Sequence, residues 1–187
     1  MPNHVINVLK FKKLKQDEVV NILNSITIPL ETPLEDDVNI WPLNCCMDFN
    51  KIIPEPCAKE ECPEDCLVNK DSHIMEYEDR PWFDWYTWHL KYWGTKWNAY
   101  NCYVKIGKSY LTIVFQTAWS MPRPIYEQLT KLGHDFEAQY ADEDYGHNCG
   151  KLIYNPAKTG FEDIVHIRED DLTNPRKYSQ YLWNKYE

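Results

Sequence analysis

Hydrophobic and polar positions follow first a strand-like and then a helix-like spacing near the start of the chain. Residues 4–11 are rich in β-branched and apolar side chains with imperfect alternation, which predicts a β-strand. Residues 16–26 predict a helix whose first turn holds Asp17 and Glu18, where negative charge suits the helix dipole. The apolar positions that recur at helical spacing are Val19, Val20, Leu23 and Ile26.

A second helix-like stretch, residues 82–93, is dominated by aromatic side chains. Its polar stripe is narrow and consists of Asp84, Thr87 and Lys91. Such a pattern is typical of a mostly buried helix. Gly94 follows directly, at the position where a left-handed C-terminal cap is expected.

The next stretch predicts a β-hairpin. Residues 100–106 and 109–118 both have strand-like composition. Gly107 and Lys108 lie between them and fit a two-residue turn with glycine first.

An amphipathic helix and further strands complete the pattern. Pro122 and Pro124 open the helix, which we expect to end at Gly133. The final stretch, near residues 178–186, again has helical spacing and is expected to dock back on the body. Strands are predicted at residues 135–141, 151–154 and 164–167.

The order strand, helix, long insertion, hairpin, helix, strand predicts an α+β protein with the ferredoxin-like βαββαβ arrangement. In that arrangement two helices cover one face of a four-stranded antiparallel sheet. We predict one such domain over residues 1–187, with an insertion at about 28–95 and a C-terminal extension at about 155–187. The insertion and the extension are expected to cover the other face of the sheet.

Composition and charge narrow the possible functions. The 187 residues fit one domain, and no apolar run is long enough for a membrane helix, so no membrane partner is expected. The absence of a signal-peptide pattern predicts a protein of the host cytoplasm. A net charge of −9 disfavours direct nucleic-acid binding. However, residues 80–134 hold 7 basic and 2 acidic residues together with six of the eight tryptophans.

This basic, aromatic segment predicts a pocket for a small planar anion, because rings stack on a base and cations meet phosphates. Trp97 and Trp119 could form a stacking slot that is flanked by Lys96 and Arg123. Alternatively, the tryptophans build the core or pin the insertion to the sheet. Ser120 could cap the following helix or leave its NH groups for a phosphate. The predicted ligand-binding residues are Lys96, Trp97, Asn98, Trp119, Ser120 and Arg123.

The seven cysteines are an odd number in a chain without a secretion signal, which favours reduced thiols or a metal over a full disulfide framework. Cys57, Cys62 and Cys66 could bind a structural zinc ion. Free or disulfide-capable thiols are the alternative. The candidates for a fourth zinc ligand are Cys45, Cys46 and His73.

No recognised catalytic motif is present. His89 is a candidate acid or base, and residues 142–144 form a run of carboxylates. A packed histidine and a solvated turn are the corresponding structural interpretations. His147 and Cys149 would point to opposite faces of an extended chain, which argues against a catalytic pair.

Four segments carry a resemblance to a known family. They are residues 1–5, MPNHV; 48–54, DFNKIIP; 93–100, WGTKWNAY; and 115–122, FQTAWSMP. In this order they resemble the YubB-type ferredoxin-like family of phage and conjugative-plasmid proteins. The resemblance implies the ferredoxin-like fold and a mobile-element origin, and that origin suggests a role against host defences. It implies no established biochemical activity.

Three functional hypotheses follow. The leading one is a binding protein, without turnover, that engages a small nucleotide-like anion or a host defence protein. The second is a small enzyme that acts on nucleotides or phosphate esters through His89 or residues 142–144. The third is an inhibitor whose acidic insertion mimics nucleic acid. The sequence leaves the oligomeric state open. The acidic side chains of the third hypothesis are Glu60, Glu61, Glu64 and Asp65.

Overall fold

The computed structural model of the chain describes residues 3–29, 45–55, 85–156, 165–167 and 174–186. The strands are β1 His4–Lys12, β2 Thr27–Pro29, β3 Cys45–Met47, β4 Tyr100–Ile106, β5 Tyr110–Ala118, β6 Phe136–Asp142, β7 Cys149–Tyr154 and β8 Val165–Ile167. The helices are α1 Gln16–Ile26, α2 Trp85–Tyr92, α3 Arg123–Leu129 and α4 Pro175–Tyr186.

Six strands form one antiparallel sheet in the order β4-β5-β1-β6-β7-β8. The first strand of the chain lies at its centre, where Val8 pairs with Val114 on one side and Gln139 on the other. β2 and β3 form a separate two-stranded ladder. The predicted α+β class with an antiparallel sheet is therefore confirmed.

One face of the sheet carries the main hydrophobic core. Leu9 and Phe11 of β1 point to this face and pack with buried residues of α1 and α3. Phe49 and Trp93, which belong to the predicted insertion, are part of the same core, and their ring centroids lie 5.7 Å apart. The expectation that the insertion covers the opposite face is thus wrong for its described residues. Their apolar side chains fill the space beside the helices instead.

The opposite face is covered in part by α4. Leu182 and Trp183 pack on Ile6, Val8 and neighbouring residues of the sheet. The Trp183 indole also donates a hydrogen bond to the Asp142 carbonyl at 3.0 Å. The C-terminal stretch therefore docks back on the body, as its spacing predicts.

The hairpin between β4 and β5 turns one residue later than predicted. Ile106 pairs with Leu111, and the Gly107 N–H donates to the Tyr110 carbonyl at 2.9 Å. The turn is therefore centred on Lys108 and Ser109. A Cβ at position 107 would lie 2.2 Å from the Tyr110 ring, so any other residue there would require that exposed ring to move.

The ends of α2 and α3 match the sequence pattern. Gly94 and Gly133 follow the two helical segments with φ of +77° and +71°, which is the left-handed conformation expected of a terminating glycine. Pro122 occupies the N-cap of α3. Within the described ranges, the helices are too short or too polar to cross a membrane.

Candidate functional site

The loop of residues 94–98 connects α2 to β4 and is fastened to the end of β5. The Thr95 hydroxyl donates to the Ala118 carbonyl at 2.7 Å and accepts from the Ala118 N–H at 3.2 Å. The Ser120 hydroxyl donates to the Gly94 carbonyl. Thr95 is fully buried. These contacts hold the loop at the edge of the sheet, where β5 ends.

Asn98 fastens the other end of the loop to the insertion. Its side-chain oxygen accepts hydrogen bonds from the Phe49 N–H at 2.9 Å and the Ala99 N–H at 2.8 Å. Its side-chain nitrogen donates to Asp48 at 2.7 Å. The structure therefore gives the amide of this predicted ligand-binding residue three contacts within the protein.

His89 supports the same loop from α2. Its Nδ1 donates to the Lys96 carbonyl at 2.8 Å, because a carbonyl can only accept. The imidazole stacks on Trp93 with a centroid distance of 4.0 Å and is buried. Its Nε2 lies 3.2 Å from a carboxylate oxygen of Glu55. These surroundings are those of a packed histidine, as the structural interpretation expects.

Three aromatic rings surround the ammonium of Lys96. The Lys96 Nζ lies 4.9 Å from the Trp97 centroid, 5.0 Å from Trp119 and 6.0 Å from Tyr86. Distances up to about 6 Å allow cation–π attraction. The three aromatic residues are 36–38% exposed. We call Tyr86, Lys96, Trp97 and Trp119 the lysine–aromatic site.

The charge of Lys96 has no carboxylate partner within ion-pair distance in the part of the chain that the structure describes. The rings shield the ammonium on several sides without neutralising it. The site therefore combines a positive charge with flat, partly exposed aromatic surfaces. This combination can accept an anion that carries a planar group.

Trp119 has an unusual backbone conformation. Its φ is +74°, which a bulky residue other than glycine rarely adopts and which costs on the order of 1–3 kcal/mol. Its N–H donates to the Asn3 carbonyl at 2.9 Å, and its carbonyl accepts from the Asn148 side chain at 2.8 Å. The ring contacts Tyr86 edge-on, with centroids 5.9 Å apart. Two chain segments therefore hold the backbone that places the indole in the site.

Two other predicted residues serve different contacts. Ser120 does not cap α3, because Pro122 is the N-cap residue and the Ser120 hydroxyl reaches Gly94. The predicted capping role is therefore wrong. Arg123 forms an ion pair with Glu127 one helical turn later, at 2.9 Å, and both side chains are about half exposed. The structure thus unites Lys96, Trp97 and Trp119, whereas Asn98 and Ser120 fix the surrounding backbone.

Tyr100 extends the site beyond Trp97, with ring centroids 6.2 Å apart. Its hydroxyl donates to the Thr117 carbonyl at 3.2 Å and also lies against His4. Burial, together with the negative charge of Glu143, raises the pKa of Tyr100 to about 12. The Tyr100 phenol is therefore neutral at physiological pH, and its ring lies beside the site without adding charge.

The Asp142 carboxylate holds the turn between β6 and β7, and the Glu143 carboxylate accepts from the His4 N–H at 3.0 Å. Asp142 is buried and accepts from the Asp144 N–H at 2.8 Å and from Asn148 at 3.2 Å. These bonds are typical of a turn. Glu143 and Asp144 are exposed, as a solvated turn predicts, whereas that interpretation is wrong for the buried Asp142.

The cysteines of the zinc hypothesis are only partly described. Cys57, Cys62, Cys66 and His73 lie outside the described residues. Cys46 forms a disulfide with Cys102, because β3 lies beside β4, so Cys46 is not free to bind zinc. The prediction of reduced thiols is wrong for this pair. Cys45 is buried and forms no disulfide with a described cysteine, and burial raises the pKa of its thiol. Zinc binding at the other three cysteines stays a prediction.

Comparison with known proteins bears on the fold. Residues 92–173 match a family model described as the ferredoxin-like domain in Api92-like protein. The matched part of the chain is similar to that family. It begins at the end of α2, includes β4 to β8, and leaves out β1 and α1. No curated protein and no solved structure matches the chain. The similarity supports a ferredoxin-like domain and carries no activity with it.

Sequence reasoning missed Tyr86 as a member of the site. Its ring joins Trp119 and Lys96 only because α2 packs against the end of β5. No spacing within residues 82–93 indicates such a long-range contact. The basic and aromatic character of residues 80–134 is the one signal that includes it.

Proposed function

We propose that the protein binds a small nucleotide-like anion at the lysine–aromatic site, without turnover. The observation that supports this proposal is the position of the Lys96 ammonium. It lies near three partly exposed rings and has no carboxylate partner among the described residues. The base would stack on an exposed indole, and the phosphate would meet Lys96. Stacking of a base on an aromatic side chain contributes roughly 1–3 kcal/mol.

Lys96 can serve both the rings and a phosphate. A lysine ammonium has three donors on a flexible stem, so it can keep contact with one ring while it turns toward an anion. The backbone around it does not need to move, because Thr95 and Asn98 already fix the loop. Binding would therefore order few additional groups, which favours affinity.

We also propose a finer description of fold and origin. β1, α1, β4, β5, α3 and β6 would form the βαββαβ unit, with an insertion at about residues 28–95. The antiparallel pairing of β1 with both β5 and β6 supports this description. The resemblance to phage and plasmid proteins supports a role in which the protein sequesters a nucleotide signal of host defence.

A titration tests the binding proposal. AMP and GMP are added to the protein at low salt, and the change in tryptophan fluorescence is followed. We expect saturable binding that weakens at least tenfold, about 1.4 kcal/mol, in Lys96→Met and in Trp97→Leu. Lys91→Met and Tyr181→Leu are the controls, because Lys91 lies over Tyr92 and Tyr181 is an exposed aromatic residue on α4.

Chromatography of the incubated nucleotide separates binding from catalysis. Recovery of unchanged AMP supports sequestration. Consumption of nucleotide in excess of protein, with loss in His89→Gln, would favour the enzyme hypothesis instead. The acidic-insertion hypothesis concerns residues outside the described ranges, and neutralising Glu60, Glu61, Glu64 and Asp65 together tests it separately.

A further inference from the structure

The sheet face that carries α4 is basic where the helix does not cover it. The strand register shows which residues lie on this face, because alternate residues of a strand share a face. Lys105 pairs with Thr112, Thr112 with Lys10, and Lys10 with Glu137, so these four form one row across four strands. Lys10 and Lys105 therefore lie two strands, or roughly 10 Å, apart.

Two more lysines lie on the same face. Lys12 is two residues after Lys10 on β1, and Lys151 pairs with Gln139 on β6. Gln139 in turn pairs with Val8, which packs under α4 and so marks this face. We call Lys10, Lys12, Lys105 and Lys151, together with Tyr110, the lysine face.

Within the described ranges, the lysines of the lysine face outnumber the carboxylates that pair with them. The Glu137 carboxylate forms ion pairs with the ammonium groups of Lys12 and Lys151, with N–O distances of 2.6 Å and 2.7 Å. Neither Lys10 nor Lys105 has an ion-pair partner among the residues that are described. Among the described residues, one carboxylate thus faces four lysines.

Tyrosine rings accompany the two lysines without ion pairs. The Lys10 Nζ lies 4.8 Å from the centroid of Tyr110, which is exposed. The Lys105 Nζ lies 5.1 Å from Tyr103 and 5.7 Å from Tyr186, the residue at the end of α4. A flat surface with spaced cations and aromatic rings suits a single-stranded nucleic acid, whose unpaired bases are free to stack.

We propose that the lysine face binds the phosphate backbone of a single-stranded nucleic acid. The net charge of −9 argues against strong binding, but surface charges more than about 8 Å away are largely screened at physiological salt. At such salt, the local excess of lysines over the one described carboxylate, Glu137, therefore matters more than the net charge of the chain. This site is separate from the lysine–aromatic site and does not depend on the function proposed there.

Fluorescence anisotropy with a labelled dT12 oligonucleotide tests the proposal. We expect saturable binding at 50 mM salt, with a slope of log affinity against log salt near −2 to −3, since each phosphate contact on a single strand contributes about −0.7. Lys10→Gln with Lys105→Gln should weaken binding at least tenfold. Lys105→Gln alone, on the exposed edge strand, should weaken it severalfold if the double variant does not fold. Lys131→Gln, an exposed lysine after α3, is the control for net charge and should leave binding within twofold.

Four outcomes overturn the proposal. The first is the absence of dT12 binding at 50 mM salt, and the second is an equal loss of dT12 affinity in Lys131→Gln. The third is a loss of dT12 affinity in Trp97→Leu with no loss in the lysine-face variants. The fourth is binding of polyglutamate as tight as that of dT12. The third outcome would assign the oligonucleotide to the lysine–aromatic site and leave the proposed function intact. The fourth would assign the lysine face to an acidic protein.

Discussion

At the scale of single residues, buried polar groups determine how the central strand is held. Asn7 lies fully buried in β1, and its amide nitrogen donates to the Val5 carbonyl and the Thr117 hydroxyl at 2.9 Å. Its amide oxygen accepts from the Tyr126 hydroxyl at 2.9 Å. Tyr126 is itself buried, which raises the pKa of its phenol well above its ordinary value. The neutral phenol therefore remains a donor across the physiological range.

Tyr126→Phe should lower the free energy of unfolding by about 1–3 kcal/mol, because it leaves the Asn7 oxygen buried without a donor. Urea denaturation measures the change. Tyr110→Phe removes an exposed hydroxyl and should cost less than about 0.5 kcal/mol. Equal effects of the two substitutions would contradict the assigned hydrogen bond.

Glu137 makes stability depend on acid. Burial alone would raise its pKa, but hydrogen bonds and charge from Lys12 and Lys151 prevail and lower it. A lowered pKa in the folded state means that the carboxylate stabilises the fold above its unfolded pKa of about 4.3. That contribution is lost as the pH falls through the lower, folded pKa.

Denaturation at pH 7 and at pH 3 should therefore show a smaller loss of stability in Glu137→Gln than in the original protein. Glu127→Gln, whose partner Arg123 is about half exposed, serves as the control. A loss in Glu137→Gln as large as in the unchanged chain would exclude Glu137 as a source of acid sensitivity.

Single residues also show where sequence reasoning is limited. Lys96, Trp97 and Trp119 could be selected because basic and aromatic residues cluster in one segment. The positive φ of Trp119 could not be predicted from the sequence, since the contacts that hold it come from Asn3 and Asn148, far away along the chain. Likewise, Gly107 fits a turn by its residue type, whereas its close approach to the Tyr110 ring is visible only in the structure.

At the scale of elements, α4 has the clearest energetic role. Leu182 is fully buried against the sheet, whereas its neighbour Tyr181 is exposed. The helix therefore covers apolar residues of β1 and β5 that would otherwise face water. Its amphipathic spacing made it predictable from sequence. The β2–β3 ladder was not, because strands of three residues are too short to show alternation.

Leu182→Ala should lower the free energy of unfolding by about 2–5 kcal/mol, the usual cost of a large cavity in a core. Thermal or urea denaturation measures this loss. Tyr181→Ala should change stability by less than about 1 kcal/mol. Similar losses at both positions would mean that α4 does not pack as described.

At the scale of the whole molecule, periodicity and element order predict the fold class but not how each face is covered. The imperfect alternation along β1 leaves apolar residues on both faces, and both Leu9 and Val8 are buried. It does not show which segment covers which face. Among the described residues, residues 45–55 and α2 join the other helices on one side, and α4 alone covers part of the other side. The part of that side that no described residue covers is the lysine face.

The disulfide joins β3 to β4 across a sequence separation of 56 residues. In the chain-entropy account, a loop of this length corresponds to a stabilisation of about 4 kcal/mol at most. Reduction with dithiothreitol should therefore lower the unfolding free energy. Differential alkylation should identify Cys46 and Cys102 as the two thiols that become reactive on reduction. An unchanged stability after complete reduction would show that the ladder is held by packing alone.

The central position of β1 has a consequence for how the chain reaches this state. The strand pairs with residues 110–118 and 136–142, so its partners are separated from it by most of the chain. Closing such long loops before any pairing energy is gained slows folding. Until then, a strand with five consecutive buried positions in the native state stays available to pair with other chains. Refolding should accordingly be slow and sensitive to protein concentration.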